Sequence, residues 1–313
     1  MKQSIKNSFK KSYEINGILL VNKPLYDTSN KTLQKIKKIF KAKKAGHTGS
    51  LDPLATGMLP VCFGKATKIC SYLLDSDKTY EVVAKLGEST DTGDREGKIL
   101  NKSNCSSFSL EFINSVLKET IGESEQIPPM YSALKYNGER LYNLARRGKI
   151  VDRPPRKIKI KSIKLNYFYW PKLSFTVTCS KGTYIRTLVE DIAKYIGTYG
   201  HVWSLHRSSL EPFNKNKMFD PDFLEKSLLS NQYVIDNFIL DIDQALKNIP
   251  SLYLSDDKAK KFLHGQSVYI KSNFFSGDSR IYTKDNSLLG IGALTKDCIL
   301  KPKKVLQEFS IWS

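Results

Sequence analysis

Asp52 lies in the run AGHTGSLDPLATGMLP, residues 45–60. Three glycines and two prolines in those sixteen residues argue against regular structure through most of the run. Pro53 pushes Asp52 away from helical φ/ψ toward an extended conformation. His47 and Thr48 share the run, so a carboxylate, an imidazole and a hydroxyl sit on one shaped loop. Long loops of this kind next to a core are commonly functional. Taken singly the residues are less telling. An Asp-Pro pair is a common turn former, and a lone His is more often a hydrogen-bonding residue than a catalyst. No second His or Cys lies at ligand spacing, which argues against a metal site. No Ser-His pairing suggests acyl transfer. The five cysteines (Cys62, Cys70, Cys105, Cys179, Cys298) are odd in number, widely spaced and without a CxxC, which argues against both a disulfide framework and a zinc site. They fit reduced thiols and a cytoplasmic location.

The loop needs elements to hold it. Ile18 to Val21 reads as a short buried strand ended by Lys23-Pro24. Thr28-Ser29 offers an N-cap hydroxyl for a helix in which Leu33, Ile36, Ile39 and Phe40 mark the core face. Lys31, Lys35 and Lys38 fall on another face, either as a solvated surface or as a stripe facing phosphate. After the loop comes the apolar run Leu59–Phe63. Tyr80–Leu86 and Leu173–Cys179 read as strands with partial alternation. A helix follows with Ile185, Leu188, Val189, Ile192 and Ile196 as its apolar stripe, and Arg186 lies off that stripe in the first turn. An Arg so placed is ordinarily a surface salt bridge.

The chain has 313 residues and a net charge of +19, from 50 Lys and Arg against 31 Asp and Glu. No stretch approaches the roughly 18 apolar residues of a membrane span, and residues 1–15 hold no apolar core of a secretory signal. Residues 1–50 contain 12 Lys and only two acids, Glu14 and Asp27. A second basic region runs from about 126 to 156, between Pro128-Pro129 and Pro154-Pro155. It carries Lys135, Arg140, Arg146, Arg147, Lys149, Arg153 and Arg156, with Tyr131 and Tyr142 interleaved. Cations with aromatics are what neutralising and stacking a nucleic acid require. From about residue 251, Ser255-Asp256 caps a short helix to His264-Gly265, and short strands then alternate with turns through Phe309, as in a small β-barrel-like domain.

GHTGSLDPLATGMLP followed by Gly64-Lys65-Ala66-Thr67-Lys68 resembles the catalytic signature of the TruB family of tRNA pseudouridine synthases. Asn22-Lys23-Pro24, Asp77-Lys78-Thr79-Tyr80, Thr90-Asp91-Thr92-Gly93-Asp94, the stretch from Ile127 to Gly148, and Lys181-Gly182-Thr183-Tyr184-Ile185-Arg186 continue the resemblance in order. It implies an α+β fold: a large mixed, mostly antiparallel sheet flanked by helices (the pseudouridine synthase fold), with a small C-terminal β-barrel-like domain of the PUA type. The implied division is a catalytic domain over 1–250, including an RNA-gripping insertion at about 126–156, and an RNA-binding domain over 251–313.

The resemblance implies isomerisation of uridine 55 in the tRNA T-arm. The glycosidic bond breaks and re-forms through carbon 5 of the same base. Nothing enters or leaves, so no cofactor or metal is needed. Asp52 is the implied nucleophile, with Arg186 pairing it in a bidentate fork that keeps it ionised. Tyr80 and Tyr184 are implied to stack on the extruded base, with Tyr80 also a proton handler. His47 is implied to contact the RNA loop, and Leu205 to pack against the base. Lys23, Lys68, Lys135, Arg146, Arg147 and Arg207 are the candidates for the RNA backbone. The implied partner is tRNA alone, bound by a cytoplasmic monomer with no membrane and no obligate protein partner. Two alternatives are the same chemistry on another RNA within a guide complex and a non-catalytic tRNA-folding chaperone. Two positions depart from the family pattern. Tyr26 stands where Gly is usual, so the turn there is expected to differ, and His206 replaces a basic residue, which is expected to weaken a phosphate contact.

Overall fold

The computed structural model describes residues 14–104, 108–230, 232–271 and 276–307. The tail lysines Lys2 and Lys6, together with Cys105 and Phe309, lie outside the described residues.

In chain order the strands and helices are β1 (Gly17–Lys23), α1 (Ser29–Ile39), β2 (Ala45–His47), β3 (Ala55–Phe63), α2 (Cys70–Leu74), β4 (Lys78–Leu86), β5 (Glu88–Thr90), β6 (Ile99–Lys102) and α3 (Leu110–Glu119). Then come β7 (Gly122–Gln126), β8 (Lys135–Tyr136), β9 (Glu139–Arg140), α4 (Leu141–Arg146), β10 (Arg156–Tyr169), β11 (Lys172–Cys179), α5 (Ile185–Ile196), β12 (Gly200–Leu210) and α6 (Pro221–Ser230). The last part holds β13 (Ser251–Leu254), α7 (Asp256–Leu263), β14 (Val268–Tyr269), β15 (Gly277–Thr283), β16 (Leu288–Leu294) and β17 (Ile299–Val305).

One eight-stranded sheet runs β1-β3-β12-β4-β11-β10-β7, with β2 added to β3. Its pairings are antiparallel except that of β12 with β3. That is the expected large mixed sheet flanked by helices. A second, five-stranded sheet runs β13-β15-β16-β17-β14 and packs on α7 through Phe262 and Ala259. The main core lies between one face of the large sheet (Val82, Ala84, Phe175, Val177) and α3 and α5 (Ile113, Val116, Leu188, Ile192). Burying such side chains stabilises by about 1.5–3 kcal/mol each.

Local signals act as their chemistry predicts. The Thr28 hydroxyl accepts from the Lys31 N–H at 3.1 Å and starts α1. Gly197 ends α5 in the left-handed conformation, φ 87°. The run 45–60 is more regular than its glycines suggest. β2 takes Ala45–His47 and β3 begins at Ala55, which leaves only residues 48–54 as loop. Gly57 belongs to β3 because its backbone touches β12. A Cβ there would lie 2.3 Å from the Arg207 carbonyl oxygen.

The lysine face of α1 is largely paired: Lys31 with Asp27 and Lys35 with Asp222. Both pairs reach solvent, as on a solvated face. Gln126 and Arg156, at the two ends of the 126–156 stretch, pair across β7 and β10.

Candidate active site

Four segments converge at one end of the main core. The 48–54 loop brings Asp52, β4 brings Tyr80, β12 brings Leu205 and Arg207, and the start of α5 brings Tyr184 at its N-cap and Arg186 in its first turn. Together with Gly49, Leu51, Lys78 and Thr183 they line a cavity of about 260 Å³. Asp52, Arg186, Tyr80, Tyr184 and Leu205, chosen from sequence, therefore share one site.

Arg186 Nε lies 2.9 Å from Asp52 Oδ2. The contact is single rather than the expected two-pronged fork. The other guanidinium nitrogens donate to backbone carbonyls, Nη1 to Thr92 at 3.0 Å and Nη2 to Tyr131 at 2.7 Å. Four segments of chain thus meet at one arginine. The Arg186 side chain is 6% exposed and that of Asp52 43%. The pair has a walled side and an open side. Burial pushes the Asp52 pKa up, while Arg186 and then Lys23 oppose the rise. Arg186 therefore limits a protonation that burial favours.

Tyr80 is buried, and its pKa is raised by desolvation against the opposing effect of Arg207. It remains a neutral phenol, able to stack and to donate. The Tyr184 pKa is raised by burial as well. Its backbone is gripped on both sides by Gln126, which accepts from the Tyr184 N–H at 2.8 Å and donates to its carbonyl at 3.1 Å. Gln126 is a positioning residue missed in the sequence. It sits 58 positions away, at the root of the insertion. Lys78 was also missed as a lining residue. It is buried, donates to the Leu74 and Ser76 carbonyls, and desolvation lowers its pKa to about 8.

Several expected RNA contacts are corrected. The Lys23 side chain is fully buried, and its ammonium donates to the carbonyls of Pro24 (2.8 Å), Asp27 (2.5 Å) and Pro53 (3.3 Å). It ties the end of β1 to the loop carrying Asp52, with its pKa lowered to about 8 by burial. Arg207 is 1% exposed. Its Nε donates to the Met58 carbonyl at 2.7 Å and Nη2 to that of Gly49 at 2.8 Å. Neither cation reaches solvent to meet a phosphate. Lys68 is exposed but donates to the Val305 carbonyl at 2.7 Å, joining the large sheet's side of the molecule to β17. Lys135, Arg146 and Arg147 are exposed on the insertion, Arg147 paired with Glu139 and Arg146 over the Tyr142 ring at 5.6 Å.

His47 is half-buried on β2 and is not among the cavity-lining residues, so it stands apart from Asp52. Its Nδ1 is buried without a hydrogen-bond partner, and burial lowers its pKa. Tyr26 adopts φ 65°, the left-handed conformation that favours glycine. Its N–H donates to the Pro53 carbonyl at 2.8 Å. His206 faces away from the cavity lining and hydrogen-bonds Thr56 Oγ1 at 2.9 Å. Among the described residues no three His, Cys, Asp or Glu side chains form a metal-binding group, and no helix is long and apolar enough to cross a membrane.

Residues 37–185 match the family model for the N-terminal domain of TruB family pseudouridylate synthases. Residues 186–247 match that for the tRNA pseudouridylate synthase B C-terminal domain, and 250–306 that for the pseudouridine synthase II TruB C-terminal region. The chain is 40% identical over 299 residues to tRNA pseudouridine synthase B of Histophilus somni, covering 95% of this chain and 97% of that one. It is 43% identical over 293 residues to the Legionella pneumophila (strain Lens) protein of the same name, covering 93% and 96%. Among solved structures, a chain of a Cbf5-Nop10-Gar1 complex superposes with a TM-score of 0.74 at 25% identity, covering 94% of this chain and 86% of that one.

Proposed function

The chain belongs to the TruB family of pseudouridylate synthases, and from that premise we propose that it converts uridine to pseudouridine in tRNA, at position 55 of the T-arm. It is an isomerase. The relatives named tRNA pseudouridine synthase B support tRNA as the substrate over an RNA presented by a guide complex.

The observation that carries the mechanism is the Asp52–Arg186 pair at 2.9 Å on the wall of a cavity lined by Tyr80, Tyr184 and Leu205. A uridine inside a folded RNA loop must leave the stack to be reached. An extruded base entering here meets two aromatic rings and an apolar side chain, and stacking on one ring is worth about 1–3 kcal/mol. Asp52, ionised and held by Arg186, is the nucleophile. The C1′–N1 bond breaks, the C1′–C5 bond forms, C5 loses a proton and N1 gains one. Tyr80, as a neutral phenol, is placed to hand on that proton. Lys23, Arg207 and Gln126 hold the loop, the strand and Tyr184 in register. Residues 1–250 form the catalytic unit, with the 126–156 insertion gripping RNA, and residues 251–313 form an accessory RNA-binding unit. The chain works as a cytoplasmic monomer.

The test is pseudouridine mapping on a T-arm stem-loop transcript and on full tRNA. The native chain is expected to modify position 55 in both. Modification elsewhere, or none, overturns the assignment.

A further inference from the structure

Outside the cavity, the opposite face of the large sheet carries an ordered row of rings and cations. Phe168 and Leu173 are cross-strand partners directed into the core. Tyr167 and Tyr169, on either side of Phe168, therefore point outward. Their rings stack at 5.1 Å, and the residues are 39% and 61% exposed. Tyr169 stands opposite Lys172, and Lys172 opposite Lys85. Trp203 sits in the β12 bulge between Val202 and Ser204. Lys172 Nζ lies 3.2 Å from its ring centre, Lys85 Nζ 5.5 Å and the Arg95 guanidinium carbon 5.6 Å. Arg95 also covers the Tyr26 ring at 5.9 Å and donates to its hydroxyl at 3.1 Å. From β10 to β12 the row spans four strands, about 14 Å at the usual strand spacing, and Arg95 and Tyr26 extend it.

Three cations share this row with Glu88, which is paired to Lys85. The Lys172 ammonium is buried against the indole and has no hydrogen-bond partner among the described residues. Burial, with Lys85 and Arg95 nearby, lowers its pKa to about 8. Like charges gathered on exposed rings gain nothing from the core. A polyanion would relieve their repulsion, and unstacked bases would cover the rings. RNA is favoured over a protein partner by position as well. Tyr26, the end of the row, is hydrogen-bonded through its backbone to Pro53, next to Asp52. The end of the row therefore adjoins the loop that carries Asp52.

We propose that this face is a second RNA-contacting surface, taking unpaired or looped nucleotides of the substrate tRNA beyond the T-arm, with bases on Tyr169, Trp203 and Tyr26 and phosphate on Arg95. The proposal rests on the tRNA reading above. It is tested on the full chain with a Tyr167→Ala/Tyr169→Ala double variant and with Arg95→Gln, measuring Kd for full tRNA and for the T-arm stem-loop by fluorescence anisotropy. The double variant is expected to weaken full-tRNA binding at least about fivefold. Arg95→Gln is expected to reduce the salt slope by about one. Pseudouridine formation in the stem-loop stays within about twofold. Ultraviolet crosslinking of the native complex is expected to attach nucleotides to the peptides holding Tyr169 or Trp203. Unchanged affinity for full tRNA in both variants overturns the surface and leaves the row to a partner other than RNA. The two claims separate, because a native chain that makes no pseudouridine in the stem-loop overturns the function instead.

Discussion

Arg207 and Arg146 both lie in segments that look basic in the sequence, yet they live in opposite surroundings. Arg207 is sealed under the 48–54 loop with its guanidinium on the Met58 and Gly49 carbonyls. Arg146 stands exposed on the insertion over the Tyr142 ring. The same split separates Lys23 from Lys135. Cations around the cavity shape backbone, while cations on the insertion are open to phosphate. Net charge counts the two groups together, but only exposed cations can release counterions from a nucleic acid.

The contrast is broken most directly at Arg186, which belongs to the cavity group. Arg186→Gln removes the Asp52 partner and is expected to lower kcat by about 10³-fold, near 4 kcal/mol. Asp52 then loses the effect opposing burial, so its pKa rises further. Its active form is the carboxylate, which is lost as pH falls through the folded-state pKa, so the acidic limb of the pH–rate profile should move to higher pH. A limb that stays in place would show that Arg186 does not control Asp52 ionisation. Next comes Arg207→Met, which leaves two carbonyls unpaired beneath the loop. Denaturant unfolding should show a loss of about 2–4 kcal/mol, and Lys23→Met about 1–3 kcal/mol. Arg146→Ala should change stability by less than about 0.5 kcal/mol while lowering tRNA affinity and reducing the salt slope by about one. If Arg146→Ala unfolds the chain, or Arg207→Met only weakens binding, the division is wrong. The smallest effect is expected from exchanging the tail residues Lys2 and Lys6, with tRNA Kd unchanged.

The order of elements was legible because its signals are local. Thr28 caps α1, Ile185 to Ile196 repeat at helical spacing, and the proline pairs bracket the insertion. The site residues were legible through their motifs, and the structure brings Asp52, Tyr80, Tyr184, Leu205 and Arg186 to one cavity. What could not be read depends on contacts between distant segments. Gly46 and Gly57 suggested a loop, but both lie in strands, and Gly57 is required by the approach of Arg207. The burial of Lys23 is set by Pro53, 30 positions away, and the grip of Gln126 on Tyr184 spans 58. Tyr26 shows the reverse case. A bulky residue takes the left-handed turn because its N–H is held by Pro53 and its hydroxyl by Arg95.

The central claim is that Asp52 reacts and the surrounding cations position. It is met by pseudouridine mapping on a T-arm stem-loop with Asp52→Asn, alongside Kd for tRNA. The variant should bind tRNA within about threefold of the native chain, near 0.6 kcal/mol, and form no pseudouridine. Pseudouridine formed at the native rate by Asp52→Asn would contradict the account.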